Sequence, residues 1–219
     1  MRAKLWAAWS VTLVLASGWT PVAGPRAEEL KFAWAIGALT GPENARQSIP
    51  VTREVTLKSG DELKIFFNQL TPSFAYVLLE DAKRNLEVLY PEKSGSGTAS
   101  AATGGHYIPP DPDWFKLDEE PGVERIYLIA STTRLTALEN LLSTYAAALT
   151  ADKSGIRRQI YAELARFEKP ASTAAWSERP VTMGGQVRGK KPPKPDVATG
   201  ATEVTASGYF SRVLVINHQ

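Results

Sequence analysis

The chain has 219 residues and a mass of 23.8 kDa, the length of one domain with an extension rather than of two domains. It has no cysteine and only two histidines, which excludes disulfides, thiolate catalysis, cysteine-bearing zinc sites and iron–sulfur clusters. A formal charge of +2, from 25 basic and 23 acidic residues, is too small for a nucleic-acid binder unless strongly segregated.

Arg2 and Lys4 precede an uncharged apolar stretch from Leu5 to Ala16, and Ala16-Ser17-Gly18 then offers the small residues a signal peptidase reads. The pattern predicts a signal peptide over residues 1–18, with cuts as late as residue 27 also compatible with Ala23, Pro25 and Ala27. About 12 apolar residues fall short of the about 20 that span a bilayer. A periplasmic or secreted protein with no membrane span after signal removal is therefore expected. Removing residues 1–18 takes away Arg2 and Lys4 and no acid, leaving 23 basic and 23 acidic residues.

In the remaining chain, Leu30, Phe32, Trp34 and Ile36 alternate with Lys31, Ala33 and Ala35, the period of a strand with one buried face. Val51, Val55 and Leu57, the turn Ser59-Gly60-Asp61, and then Leu63, Ile65 and Phe67 read as a hairpin over residues 51–68, although Arg53 interrupts its apolar face. Phe74 to Leu79 suits a central strand, and Leu86, Val88 and Tyr90 another that ends at Pro91, which has no N–H to pair. Ser94 to Gly105 is almost wholly Ser, Gly, Ala and Thr and reads as a mobile loop. Tyr107-Ile108-Pro109-Pro110 and Trp114-Phe115-Lys116-Leu117 read as short edge pieces. Val123 to Ser131 is a strand covered on both faces, Ile126, Leu128 and Ala130 on one side, Tyr127 and Ile129 on the other.

The period then changes. Leu135, Leu138, Leu142, Tyr145 and Leu149 step by three and four, with Thr136 and Glu139 at capping-box spacing, so a helix begins near Thr136. A second stripe, Ile156, Ile160, Leu164 and Phe167, stops at Pro170. The pair is an αα-hairpin placed to cover one sheet face. Residues 171–202 form a Pro/Gly/Lys-rich linker or arm, and Tyr209 to Ile216 supplies a last strand. The predicted fold is mainly β with appended helices (α+β): an antiparallel β-sandwich over 28–131, a helical hairpin over 132–170, and a final strand within 203–219 rejoining the sheet.

The blocks Leu57-Lys58-Ser59-Gly60-Asp61-Glu62-Leu63, Phe74-Ala75-Tyr76-Val77-Leu78-Leu79, Leu86-Glu87-Val88-Leu89-Tyr90-Pro91, Tyr107-Ile108-Pro109 and Glu124-Arg125-Ile126-Tyr127-Leu128-Ile129-Ala130-Ser131 follow one another in this order. In that order they resemble a bacterial domain-of-unknown-function family, found in exported proteins and beside signalling or protease-like domains. The resemblance covers roughly residues 57–131. It implies a small β-sandwich module and no catalytic residue.

Little in the residues themselves points to chemistry. His106 lies at the edge of the Gly-rich segment with only Asp111, Asp113 and the loop serines near it in sequence, and no nucleophile elbow accompanies it, so it reads as a surface histidine. His218, the penultimate residue, reads as frayed or solvent-facing. Asp111, Asp113, Asp118, Glu119 and Glu120 crowd five carboxylates into ten residues, but without the spacing or bend glycine of a calcium loop. The Gly-rich segment lacks the lysine and following helix of a phosphate cradle. Arg188, Lys190, Lys191 and Lys194, interleaved with Pro192, Pro193 and Pro195, make an extended basic arm, the one partner-binding candidate. No aromatic residue alternates with those charges, as single-stranded nucleic-acid binding would require.

The expected function is thus a non-catalytic exported module of the bacterial envelope, binding an envelope protein, another anionic envelope component or a ligand, with no cofactor implied. An envelope hydrolase or carbohydrate-active enzyme working through carboxylates near Asp111 to Glu120 is the competing expectation, and it requires two of them to face each other across a cleft. A calcium-stabilised structural domain is a third.

Overall fold

A computed structural model describes residues 28–91, 99–168, 177–180 and 195–219. Among the described residues eleven strands and two helices follow one another: β1 (Glu29–Thr40), β2 (Gln47–Pro50), β3 (Glu54–Leu57), β4 (Glu62–Glu80), β5 (Leu86–Tyr90), β6 (Ala102–Ile108), β7 (Phe115–Lys116), β8 (Gly122–Ser131), α1 (Thr136–Ala147), α2 (Thr150–Glu168), β9 (Ser177–Pro180), β10 (Thr202–Ser207) and β11 (Tyr209–His218). Short 3-10 turns occupy Glu43–Ala45 and Val197–Gly200. The fold is β-rich α+β, as the alternation patterns predict, and its sheet curls so that two limbs share β4.

The curl originates in β4, whose 19 residues were expected as two separate strands. Its first half pairs with β1, Phe32 opposite Gln69 through Leu39 opposite Glu62, and with β6 and β7 on the other side. Its second half pairs with β8, Phe74 opposite Ser131 through Glu80 opposite Arg125, and with β5 beyond. Between the halves the β6 register breaks from Gln69 to Ser73. Pro72 lies in that break, where a missing N–H costs no ladder bond. The side chain of Gln69 bonds the Ser73 carbonyl across the bend.

The predicted hairpin over 51–68 does not form. Asp61, largely buried, accepts from the Lys58 and Gly41 amides and turns the chain away, so that β3 runs parallel to β11, Leu57 opposite His218, while β4 joins β1. The sheet is therefore mixed. Residues 102–105, expected within a mobile loop, are strand: Gly104 and Gly105 pair with Gln69 and Asn68. Main-chain pairing over the Phe66 ring, against which a β-carbon at Gly105 would press at 3.3 Å, replaces the side-chain burial this segment lacks. β10 is an additional strand beside β1. The last strand, β11, lies between β3 and β8 and rejoins the sheet as expected; Gly208, at φ +82°, makes the single-residue turn into it.

Between the limbs lies the main core: Phe32, Trp34 and Ile36 of β1, Ile65, Phe67, Ala75 and Val77 of β4, Ile126, Leu128 and Ala130 of β8, and Phe210, Leu214 and Ile216 of β11. Each such fully buried large side chain contributes about 1.5–3 kcal/mol. Tyr127 and Ile129 face the other way with Tyr76 and Leu78, onto Leu138, Leu142 and Tyr145 of α1 and Ile160 and Leu164 of α2. The helical hairpin thus covers the outer face of one limb. Leu149 is 76% exposed, because the extended backbone at Ala148 has already ended the first helix. The predicted capping box is also absent. Leu135 is the N-cap, and Glu139 turns inward to accept from the Tyr76 hydroxyl at 2.9 Å and the Ala99 amide at 3.3 Å, with Arg134 as its ion-pair partner.

The outer face of the other limb carries a smaller cluster, Ala33, Ala35 and Phe66 beneath Val197, Ala198 and Ala201. A β-carbon on Gly37 would stand 2.5 Å from a Val197 methyl, so glycine there permits residues 195–201 to lie against β1. That contact forms one wall of the cleft described next.

Candidate functional site

Lys64 alternates out of the main core onto the face under Val197, yet its side chain is only 2% exposed. A buried ammonium must be paired and hydrogen-bonded. Its Nζ donates to the Asp111 carboxylate and, at 2.8 Å, to the Asp113 carbonyl, while the Tyr107 and Trp114 rings stand 5.4 and 5.9 Å away, within cation–π range. These groups line a cleft of about 470 Å³, closed on its far side by Asp196 and Val197, a volume suited to a small ligand. Strand β6 delivers Tyr107, the Pro110–Asp113 turn delivers Asp111, and Asp196 opens the 3-10 turn.

Asp196 holds its turn by accepting from the Ala198 amide at 2.9 Å, and the same Oδ1 accepts the Tyr107 hydroxyl at 2.9 Å. Burial first, and then that carboxylate, push the Tyr107 hydroxyl up to about 12, so Tyr107 is a neutral donor at ordinary pH. The arrangement can pair an anion with Lys64, lay a flat apolar face on an aromatic ring and accept a hydroxyl at Asp196.

Three of the crowded carboxylates have separate partners. Asp111 enters the cleft, whereas Asp118 accepts the Glu120 amide at 2.8 Å and Glu120 accepts from Lys83 at 2.6 Å. Among the described residues no group of three or more His, Cys, Asp or Glu is placed to hold a metal.

Both histidines differ from expectation. His106 is half-buried, stacked at 5.0 Å and 24° on Phe67 and 5.0 Å from Tyr90; the strand pairing of β6 turns it inward, and burial lowers its pKa. His218 is 4% exposed, because β11 ends between β3 and β8 rather than fraying. Its Nε2 lies 3.1 Å from Ser59 Oγ and its Nδ1 3.2 Å from Glu124 Oε1, the connectivity of a serine–histidine–carboxylate relay. An oxyanion needs main-chain or other donors aimed at it, and here the nearest amides are engaged: Ser59 N–H with Gln219 O, Gly60 N–H with Leu117 O, and Asp61 N–H with Lys58 O. The trio joins the end of β11 to the turn before β4. The spacing of 159 residues between Ser59 and His218 concealed it.

Lys64 gave no signal either, since a lysine in an alternating strand reads as solvent-facing; its context, between Leu63 and Ile65 in a segment covered on both faces, is the only trace. The arm residues Arg188, Lys190, Lys191 and Lys194 lie outside the described residues, as do residues 1–27.

The family described as Domain of unknown function (DUF4384) matches residues 56–134, about a third of the chain, in agreement with the resemblance of residues 57–131. That span runs from the end of β3 to the residues before α1 and brings Lys64, Tyr107, Asp111 and Trp114, but not Asp196 or Val197. No curated protein and no solved structure matches the chain.

Proposed function

We propose that this chain is an exported, non-catalytic ligand-binding module of the bacterial envelope, and that the Lys64 cleft is its binding site. The buried Lys64 ammonium at the foot of an aromatic-walled cleft carries this reading. Desolvating a lysine costs several kcal/mol, and a cleft of a few polar groups among rings is the usual form of a small-ligand site. Export is supported by Arg2, Lys4 and the apolar run to Ala16. Among the described residues no helix is long and apolar enough to cross a membrane. A protein or anionic envelope partner for the arm at Arg188 to Lys194 belongs to the same proposal.

Two measurements test it. Fractionation of cells producing the tagged chain should place it outside the cytoplasm in a form shortened by about 18–27 residues; a full-length cytoplasmic form would contradict export. Amide and indole NMR shifts of the shortened chain, recorded with neutral sugars, acidic sugars and short cell-wall peptides, should localise to Tyr107, Trp114 and Val197 for at least one of them. No shift there with any member would sink the cleft as a binding site.

A further inference from the structure

Lys64 and its counterion differ sharply in accessibility: the lysine side chain is 2% exposed and that of Asp111 65%. The cation is fixed by the fold, held from below by the Asp113 carbonyl, whereas the anion is a loop side chain open to solvent. An ammonium has three donors; Asp111 and Asp113 engage two of them. Asp111 therefore occupies the position in which a ligand carboxylate would sit.

We propose that the cleft takes an acidic sugar, a hexuronate unit, whose carboxylate replaces that of Asp111 on Lys64. The inference rests on the ligand-binding reading above and specifies its ligand. One negative charge replacing another leaves the buried ammonium paired, so the exchange avoids the cost of an isolated buried ion. A dianion such as phosphate fits less well, since among the described residues Asp111 and Asp196 already set two acids against Lys64 at this cleft, and like charges repel across a low-dielectric wall. The sugar ring matches the rest of the lining. Trp114 and Tyr107 line the cleft, and aromatic rings receive the C–H side of a pyranose as they do other apolar, slightly positive surfaces. Among the described residues Asp196 bonds Tyr107 and Ala198 through Oδ1, and its Oδ2 is the atom placed to accept a sugar hydroxyl.

Asp111 then acts as an internal competitor, and its removal has an unusual sign. Isothermal titration of the chain lacking residues 1–27 with glucuronate, glucose and inorganic phosphate would compare the wild type with Asp111→Asn and Lys64→Met. Asp111→Asn should bind glucuronate about tenfold more tightly than the wild type, a 1.4 kcal/mol gain, and Lys64→Met should lose glucuronate binding. Glucose should bind more weakly than glucuronate and respond to neither change. Unchanged or weaker glucuronate binding by Asp111→Asn would overturn the proposal, as would glucose matching glucuronate or phosphate exceeding it. Asp111 is exposed, so its variant keeps the test available should Lys64→Met fail to fold. Glucose bound without preference for glucuronate would reject the acidic-sugar assignment while leaving the cleft a binding site; silence of the whole NMR panel would reject both.

Discussion

His218 shows how much one residue can depend on chain ends meeting. Its ring is buried against Ser59 and Glu124, and the neighbouring main chain is tied in both directions, Ser59 N–H to Gln219 O at 3.0 Å and Gln219 N–H to Leu57 O at 2.9 Å. Replacing His218 with Ala should cost about 1–3 kcal/mol, the range for leaving a buried polar partner unsatisfied, whereas Ser59→Ala, at an exposed residue, should cost less than about 1 kcal/mol; urea titration of the two variants gives both values. A fluorophosphonate probe should leave Ser59 unlabelled, since the adjoining amides are committed elsewhere; stoichiometric labelling lost in Ser59→Ala would make the relay a nucleophilic site. His106 supplies a pH dependence with a definite sign. Burial lowers its pKa, so below about 6.5 the unfolded chain binds more protons than the folded one, and stability falls as pH drops through that window. Unfolding midpoints at pH 7 and pH 5.5 should converge more in His106→Asn than in the wild type. An equal loss in both proteins would assign the acid sensitivity to other groups, Glu124 excepted: its carboxyl is raised, mainly by burial, so its own contribution strengthens as pH falls.

At the scale of elements, the packing of residues 195–201 onto β1 depends on Gly37, and it is testable as a pair. Gly37→Ala places a methyl where Val197 already stands, 2.5 Å from its Cγ1, and should cost about 1–3 kcal/mol as an overpacked contact. Val197→Ala should recover part of that loss, giving a coupling above 0.5 kcal/mol in a double-mutant cycle; strict additivity would mean that the two do not meet. Because Val197 and Asp196 wall the Lys64 cleft, Gly37→Ala should also weaken any ligand seated there. Individual elements were legible where burial is periodic: β8 reads from its own residues, since Ile126 and Leu128 serve one core and Tyr127 and Ile129 another. Partners were less legible. The residues before and after Ser59-Gly60-Asp61 alternate as hairpin arms do, yet Asp61 bonds Lys58 and Gly41 and sends the arms to different limbs. Gly104 and Gly105 carry no side chain to show a face, so their strand depends on the complementary edge of β4. Glu139 matches a capping residue three positions after Thr136, but Tyr76 and Ala99, distant in sequence, claim its carboxylate. The cleft was hidden for the same reason. Its lysine, ring and acids come from β4, β6, the 110–113 turn and the 195–201 segment, and only the acid at Asp111 was conspicuous beforehand.

The whole molecule does not divide where the family match ends. Residues 56–134 include β4 to β8, but β4 lies between β1 and β8, and β8 between β4 and β11. Cutting there would bare both edges: the β1 edge of β4, from Glu62 to Gln69, and the β11 edge of β8, from Gly122 to Ser131. It would also take from the core Leu30, Phe32, Trp34, Ile36, Phe210, Leu214 and Ile216, each worth about 1.5–3 kcal/mol of burial, together about 10–21 kcal/mol and so as large as the whole net stability of about 5–15 kcal/mol that small domains possess. A fragment of residues 56–134 should therefore lack a cooperative thermal transition and protected amides in β8, while a chain of residues 28–219 should show both. Restoring β1 to β3, as residues 28–134, should not suffice, since Leu128 and Ala130 would still face a limb without β11. Refolding should return on adding residues 195–219 as a separate peptide to a chain of residues 28–168, detected as slowed exchange at Ile126 to Ala130. A folded, exchange-protected 56–134 fragment would mean that the matched span is a domain in its own right and that β1, β10 and β11 are additions to it.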